Sequence, residues 1–86
     1  MQYNIHMTLN KAFAMRTSEL LLVNKMSKYR LQKLTGLSHT AMTRVFNEHN
    51  QDCKLSTIAK VVAVFNLTLA QFFDSKFFDL DKISYE

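Results

Sequence analysis

Residues that break regular structure are nearly absent from this chain of 86 residues, and their scarcity limits its fold more than any other feature of the sequence. The chain holds one glycine, Gly36, and no proline. A small all-β domain normally needs several glycines for its tight turns, whereas helices lose stability where either residue interrupts them. The length suits one domain. We therefore expect a single, mainly α-helical domain over residues 1–86.

Capping residues and apolar spacing divide most of the chain into helices. Ser27, Ser38 and Thr68 are suitable N-caps, while Gly36 and Asn66 suit the left-handed conformation that often follows a helix. The predicted helices are a first one that begins at residue 10 or at residue 17, then 28–34, 39 to about 47, 55–65, and a short fifth helix after residue 68. This pattern predicts five helices.

The same spacing predicts which side chains of these helices face the core. They are Leu20, Leu21, Val23, Leu31, Leu34, Met42, Val45, Phe46, Leu55, Ile58, Ala59, Val62, Phe65, Leu69, Phe72 and Phe73.

The two ends of the chain carry a different pattern. Tyr3, Ile5, Met7 and Leu9 alternate with polar residues, which is typical of an extended strand. Residues 82–85 could supply a short partner strand. Because a lone strand is unstable, we expect these segments to pair with each other or with a second chain.

Positive charge is concentrated in the middle of the sequence. Lys and Arg number 11 against 7 Asp and Glu, which gives a net charge of +4. Residues 24–47 contain no acidic residue at all, and their cations are Lys25, Lys28, Arg30, Lys33 and Arg44. An uncompensated basic stretch of this kind favours a polyanionic partner.

Residues 26–73 resemble the Cro and phage-repressor (Xre) helix-turn-helix family. The resemblance rests on Ser27 before the second helix, Leu31 inside it, Gly36-Leu37-Ser38 at the turn, and Met42 and Val45 inside the third helix. It implies a lambda-repressor-like five-helix domain that binds double-stranded DNA, with the third helix in the major groove. Residues 1–16 would then form an N-terminal extension, and residues 74–86 a C-terminal tail.

The resemblance also assigns roles to individual side chains. Base-reading residues would lie on the outer face of the third helix, where the fork of Arg44 could donate twice to a guanine. Phosphate-binding residues would lie around it. The base-reading candidates are His39, Thr40, Thr43 and Arg44, and the phosphate-binding candidates are Lys28, Tyr29, Ser38, Asn47, Lys33 and Lys54.

Several of these assignments have a simpler alternative. Arg44 could be a solvated surface charge, and Tyr29 could lie at the edge of the core. His39 and Thr40 could contact phosphate or water instead of bases.

Other classes of protein find little support in the sequence. Cys53 is the only cysteine and cannot form an internal disulfide, and no secretion-signal pattern opens the chain, so we expect a protein of the reducing cytosol. The longest apolar run, residues 20–23, is far short of the roughly 20 residues that a membrane span needs. His49 and Cys53 have a usable spacing but are two ligands short of a zinc site. We expect no metal, no cofactor and no enzymatic activity.

The sequence as a whole predicts a DNA-binding transcriptional regulator. We expect a repressor that binds a palindromic operator as a homodimer, with the apolar terminal segments in the dimer interface. The alternative is a protein-interaction module of the same fold that binds a partner protein, in the manner of an antirepressor or antitoxin. The basic stretch favours DNA, and the aromatic C-terminal cluster would favour a protein partner.

Overall fold

The computed structural model describes residues 7–46, 52–79 and 83–84, and within these ranges the chain is mainly helical. Five α-helices follow one another, with a 3₁₀ helix and two very short strands near the ends. In chain order the elements are β1 (Met7–Thr8), α1 (Leu9–Val23), α2 (Lys28–Thr35), α3 (His39–Val45), α4 (Leu55–Val64), α5 (Leu69–Phe73), the 3₁₀ helix (Lys76–Phe78) and β2 (Ile83–Ser84). The predicted fold class and number of helices are confirmed.

Hydroxyl side chains start four of the five helices. Each accepts a hydrogen bond from the backbone N–H three residues further on, which satisfies an amide that the helix itself leaves without a partner. The capping residues are Thr8, Ser27, Ser38 and Thr68. Helix α2 ends at Gly36, whose φ is +73°, and Asn66 after α4 has a φ of +60°. The predicted caps at Ser27, Ser38, Thr68, Gly36 and Asn66 are all confirmed.

The N-terminal strand ends one residue earlier than its alternating pattern predicts. The Thr8 hydroxyl accepts from the N–H of Lys11 at 3.0 Å, so α1 begins at Leu9 and leaves Met7–Thr8 as the described strand. This strand runs parallel to β2, with Met7 opposite Ile83 and Thr8 opposite Ser84. The two ends therefore pair within one chain over these residues. Residues 2–6, 82 and 85, which the same prediction included, lie outside the described residues.

The core is built around Phe72, whose side chain is completely buried. The Phe72 ring centre lies 5.6 Å from that of Phe13 in α1 and 6.0 Å from that of Phe78 in the 3₁₀ helix. The buried apolar cluster joins all five helices: Phe13, Leu20, Leu21, Leu31, Met42, Val45, Val61, Val62 and Phe72.

Some side chains that were expected in the core are exposed instead: Val23, Leu34, Leu55, Ala59, Leu69 and Phe73. Most of them lie in the first or last turn of their helix, and the neighbouring helices do not extend far enough to cover the side chains there. Leu55, the first residue of α4, is 83% exposed, whereas Val61 was not predicted and is fully buried. The spacing of apolar residues identifies one side of a helix, but not how far along that side the neighbours reach.

Arg16 connects α1 to the end of α5. Its Nε donates to the carbonyl of Phe72 at 2.8 Å, and Nη2 donates to the carbonyl of Gln71 at 3.1 Å. Its Nη1 lies 2.8 Å from Oε1 of Glu19. A cation at the C-terminal carbonyls of a helix satisfies groups that have no partner within the helix and interacts favourably with the helix dipole. No pattern in the sequence around Arg16 indicates this role, because its partners lie 55 and 56 residues away.

Substitution Arg16→Ala is expected to destabilise the fold strongly. It removes both hydrogen bonds to the α5 carbonyls, and charged hydrogen bonds of this kind contribute about 1.5–3 kcal/mol each. Because the bond from Nη2 is exposed and contributes less, we expect a total loss of about 2–4 kcal/mol in the free energy of unfolding, measured by urea denaturation. Glu19→Ala is the control. It removes only the exposed ion pair, so its loss should stay below about 1 kcal/mol. Equal losses for the two variants would contradict this role of Arg16.

None of the helices in the described ranges has both the length and the apolar character that crossing a bilayer requires.

Candidate nucleic-acid interface

Helices α2 and α3 are joined by a turn whose geometry is fixed by hydrogen bonds. The N–H of Gly36 donates to the carbonyl of Gln32 at 2.9 Å. The Thr35 hydroxyl donates to the same carbonyl at 3.1 Å and accepts from the N–H of Leu37 at 3.2 Å. Because Leu31 of α2 and Met42 and Val45 of α3 share the buried cluster, the inner faces of both helices are fixed against the core. The outer face of α3 is left on the surface.

The four candidate base-reading residues share that outer face. His39 and Thr43 are four residues apart in α3, as are Thr40 and Arg44, and residues at this spacing are neighbours on a helix surface. His39 and Thr40 are exposed, while Thr43 and Arg44 are half-buried. The Thr43 hydroxyl donates to the carbonyl of His39 at 3.0 Å and can still accept a hydrogen bond. The structure therefore brings all four together.

The side chain of Arg44 lies against the start of α4 and does not extend freely into solvent. Its side chain lines a cavity of about 180 Å³ together with Thr40, Lys54 and Thr57. Its Nε is buried and has no hydrogen-bond partner in the parts of the chain that are described. A buried donor in this state costs about 1–3 kcal/mol, a penalty that the free protein would lose only if the side chain moved to meet an acceptor.

Most of the candidate phosphate-binding residues surround this face. The Nζ of Lys28 lies 4.3 Å from the centre of the Phe46 ring, and the Nζ of Lys33 lies 5.5 Å from that of Tyr29. Tyr29 is 69% exposed, which excludes its alternative placement at the core edge. The exposed Lys54 precedes α4.

The two remaining candidates for phosphate binding are Ser38 and Asn47. The Ser38 hydroxyl already accepts from the N–H of Ala41 at 3.1 Å, as the cap of α3. Asn47 lies outside the described residues, as does His49 of the weak metal-ligand pair.

Lys11 is a cation of this surface that sequence reasoning missed. It lines a cavity of about 290 Å³ with Ser18, Lys28 and Phe46, so α1 adds a positive charge beside the start of α2. Lys11 lies outside the basic stretch of residues 24–47, and only the packing of α1 against the two helices reveals its position.

Among the described residues, no carboxylate lies within ion-pairing distance of the cations of this surface. Within residues 7–46, 52–79 and 83–84, the ion pair present is the one between Arg16 and Glu19. Lys28, Lys33 and Arg44 are therefore available to a ligand that carries negative charge. The arrangement is one that can hold the phosphates of a nucleic acid on both sides of an exposed helix.

Two short helices around a tight turn, with an exposed second helix among uncompensated cations, define a helix-turn-helix DNA-binding domain. The family model for the Cro/C1-type HTH DNA-binding domain matches residues 16–77. This match covers well over half of the chain, and the chain belongs to that family. It includes Arg16 and part of the 3₁₀ helix, both of which lie outside the resemblance seen over residues 26–73. No curated protein and no solved structure matches the chain significantly.

Cys53 lies between α3 and α4, next to Arg44 of this surface. Burial raises the pKa of its thiol from 9.0 to about 11, with a further increase from the negative charge of Asp52 and an opposing decrease from Arg44. The thiolate is the reactive form of cysteine. Near neutral pH the Cys53 thiol is therefore protonated and weakly nucleophilic.

Alkylation of Cys53 should consequently be slow at neutral pH and should accelerate with pH up to an inflection near 11. The measurement is the rate of reaction with iodoacetamide across the alkaline range, by mass spectrometry under native conditions. Asp52→Asn should move the inflection to lower pH, and Arg44→Ala should move it to higher pH. A rate at neutral pH equal to that of a free cysteine peptide would contradict the assigned environment of this thiol.

Proposed function

We propose that this protein is a transcriptional repressor that binds a palindromic operator in double-stranded DNA as a homodimer. Membership of the Cro/C1-type family supports DNA binding, and the finer assignment rests on the α3 surface. The observation that carries it is the exposed or half-exposed row of His39, Thr40, Thr43 and Arg44. Within the described part of the chain, the cations around this row have no carboxylate partner. In this proposal α3 enters the major groove and the surrounding cations hold phosphates.

The two sets of residues have different tasks in this mechanism. One set fixes the position of α3 on the duplex by contacting the sugar-phosphate backbone. It consists of Lys28, Tyr29, Lys33, Ser38, Asn47 and Lys54. His39, Thr40, Thr43 and Arg44 read base edges. Arg44 is the proposed guanine reader because its planar guanidinium can donate two parallel hydrogen bonds to O6 and N7. The buried Nε favours this role, since exchanging its present environment for hydrogen-bond acceptors lowers the free energy.

Repression follows from occupancy of the operator. A dimer covers two half-sites about one helical turn apart and denies polymerase access to an overlapping promoter. A single domain of this size makes few base contacts, so joining two of them raises affinity and requires a palindromic site. Selection of bound sequences from a random duplex pool tests the proposal. Enrichment of an inverted repeat is expected, and recovery of no sequence preference would contradict it.

The alternative, a module that binds a partner protein, has weaker support. It relied on the aromatic C-terminal cluster, but Phe78 packs on Phe72 and Phe73 of the same chain, with ring centres 6.0 and 4.7 Å apart. Phe72 is fully buried and Phe78 is half-buried, so of these three rings only Phe73 is exposed. On the basic α2–α3 surface, by contrast, the cations form no ion pair with any described residue.

Affinity for duplex DNA should fall steeply as salt is added. Each phosphate that a cation neutralises releases counterions, and log affinity then decreases by about 0.9 per contact for each unit of log salt. Fluorescence anisotropy at several salt concentrations measures the slope. Lys28→Ala should reduce this slope by about 0.9, the value of one phosphate contact. An affinity independent of salt would exclude the electrostatic surface and would favour the partner-protein alternative.

Arg44→Ala and Lys28→Ala should differ in their effect on specificity. Arg44→Ala should weaken binding to the selected site by about 1–3 kcal/mol while leaving a scrambled duplex nearly unchanged. Lys28→Ala should weaken both duplexes alike, because phosphate contacts carry no sequence information. Lys28→Arg keeps the charge and is the control. A loss of affinity for Arg44→Ala that is equal on both duplexes would reassign Arg44 to the DNA backbone.

A further inference from the structure

Two polar side chains are buried in α1, and their hydrogen bonds differ in reach. Thr17 is completely buried, and its hydroxyl donates to the carbonyl of Phe13 in the same helix at 2.8 Å. Asn10 is 8% exposed, and its side-chain amide donates to the carbonyl of Arg44, 34 residues away in α3, at 3.1 Å. The bond of Thr17 is local to one helix, whereas that of Asn10 joins α1 to the helix that carries the candidate base-reading residues.

The carbonyl that Asn10 contacts lies near the C-terminal end of α3. Arg44 is the residue before Val45, where α3 ends, so its carbonyl is one of the last four, for which a helix supplies no N–H partner of its own. With seven residues, α3 is also too short to keep its shape without contacts to the rest of the domain. The amide of Asn10 therefore satisfies an end group of α3 and fixes the position of that end against α1.

An apolar residue in place of Asn10 would avoid the cost of burying an amide. Apolar contacts are not directional, however, so they would allow the end of α3 to shift along α1. A hydrogen bond has a narrow range of distance and angle, and it holds the backbone of Arg44 at one position. We propose that Asn10 is a positioning residue for base recognition, which places the backbone of Arg44 so that the guanidinium meets one base pair of the operator. This inference rests on the proposed function and adds to it a residue that does not touch DNA.

The effect of Asn10 is confined to the C-terminal half of α3. His39 and Thr40 lie in the first turn of that helix, whose start is fixed separately by the Ser38 cap. A shift at the other end of the helix moves Arg44 most, and a misplacement of about 1 Å is enough to weaken a directional contact. Loss of the amide should therefore affect the base pair read by Arg44 more than those read by His39 or Thr40.

The test measures base preference position by position on the selected inverted repeat. Competition anisotropy with singly substituted duplexes first identifies the base pair whose preference is lost in Arg44→Ala. Asn10→Ala is expected to lower the preference at that same base pair by about 2- to 10-fold, the range that one hydrogen bond contributes. Other positions should change by less than about 2-fold. The double variant should lose no more preference there than Arg44→Ala alone, because Asn10 acts through Arg44.

Two further variants separate positioning from a general loss of stability. Thr17→Val removes a buried hydrogen bond from the same helix without altering a contact to α3, so it should lower the melting temperature and leave every base preference unchanged. Asn10→Asp keeps the size of the side chain and replaces the N–H donor with an oxygen. An acid in the first turn of α1 is compatible with the helix dipole, so this variant should fold even where Asn10→Ala does not. It should relax the same base pair.

Hydrogen exchange supplies a readout that needs no DNA. The backbone amides of residues 42–46 report on the end of α3. Their exchange should accelerate in Asn10→Ala by about 2- to 10-fold relative to the amides of α2. Thr17→Val should show no such local difference between the two helices.

The inference is wrong if Asn10→Ala leaves the base pair of Arg44 unchanged, if it weakens all base pairs equally, or if the losses add in the double variant. It is also wrong if both Asn10 variants fail to fold while Thr17→Val folds, since Asn10 would then support the fold as a whole. Failure of the proposed function looks different. The wild type would bind no duplex, while exchange at the end of α3 would still accelerate in Asn10→Ala.

Discussion

The hydrogen bonds from Arg16 to the carbonyls at the end of α5 hold together two elements on which the remaining structure depends. Helix α5 has only five residues, and Phe72, its one buried side chain, is at the centre of the core. Without Arg16, the Phe72 carbonyl would lose the hydrogen bond from Nε, and the Gln71 carbonyl would keep only the one from the N–H of Asp74. Arg16 satisfies them and stacks near that ring, with Cζ 5.7 Å from its centre. The position of Phe72 against α1 is thereby fixed.

The same helix, α1, also sets the position of the DNA-binding surface. Near its start Asn10 donates to the carbonyl of Arg44, and one turn further Phe13 packs on Phe72. Helices α3 and α5 are thus both held against α1, by contacts at successive turns of that helix. Hydrogen bonds from Thr35 and Gly36 fix the conformation of the turn between α2 and α3. The exposed face of α3 is consequently held by residues that do not themselves touch a ligand, which is the condition for accurate placement of base-reading side chains.

The parts of this structure that the sequence predicts are those with local causes. Ser27, Ser38 and Gly36 act within a few residues of their own positions, so the limits of α2 and the start of α3 follow from them directly. Leu55 and Leu34 were misplaced because their burial depends on how far distant helices extend. The roles of Arg16 and Lys11 depend on partners that are remote in sequence, 56 residues away in the case of Arg16 and Phe72. For Arg44, spacing predicts a position on the outer side of α3 but does not show that its Nε is buried.

The shortness of the helices has a consequence for how the protein is inactivated. Helices α2, α3 and α5 contain eight, seven and five residues, whereas isolated helices are marginal in water below about 12–15 residues. None of them persists outside the packed domain, so α3 cannot remain folded when the core opens. Loss of the core and loss of the DNA-binding surface are then a single event. A protease that cleaves the transiently unfolded chain would remove the regulator completely, without leaving a competent DNA-binding fragment behind.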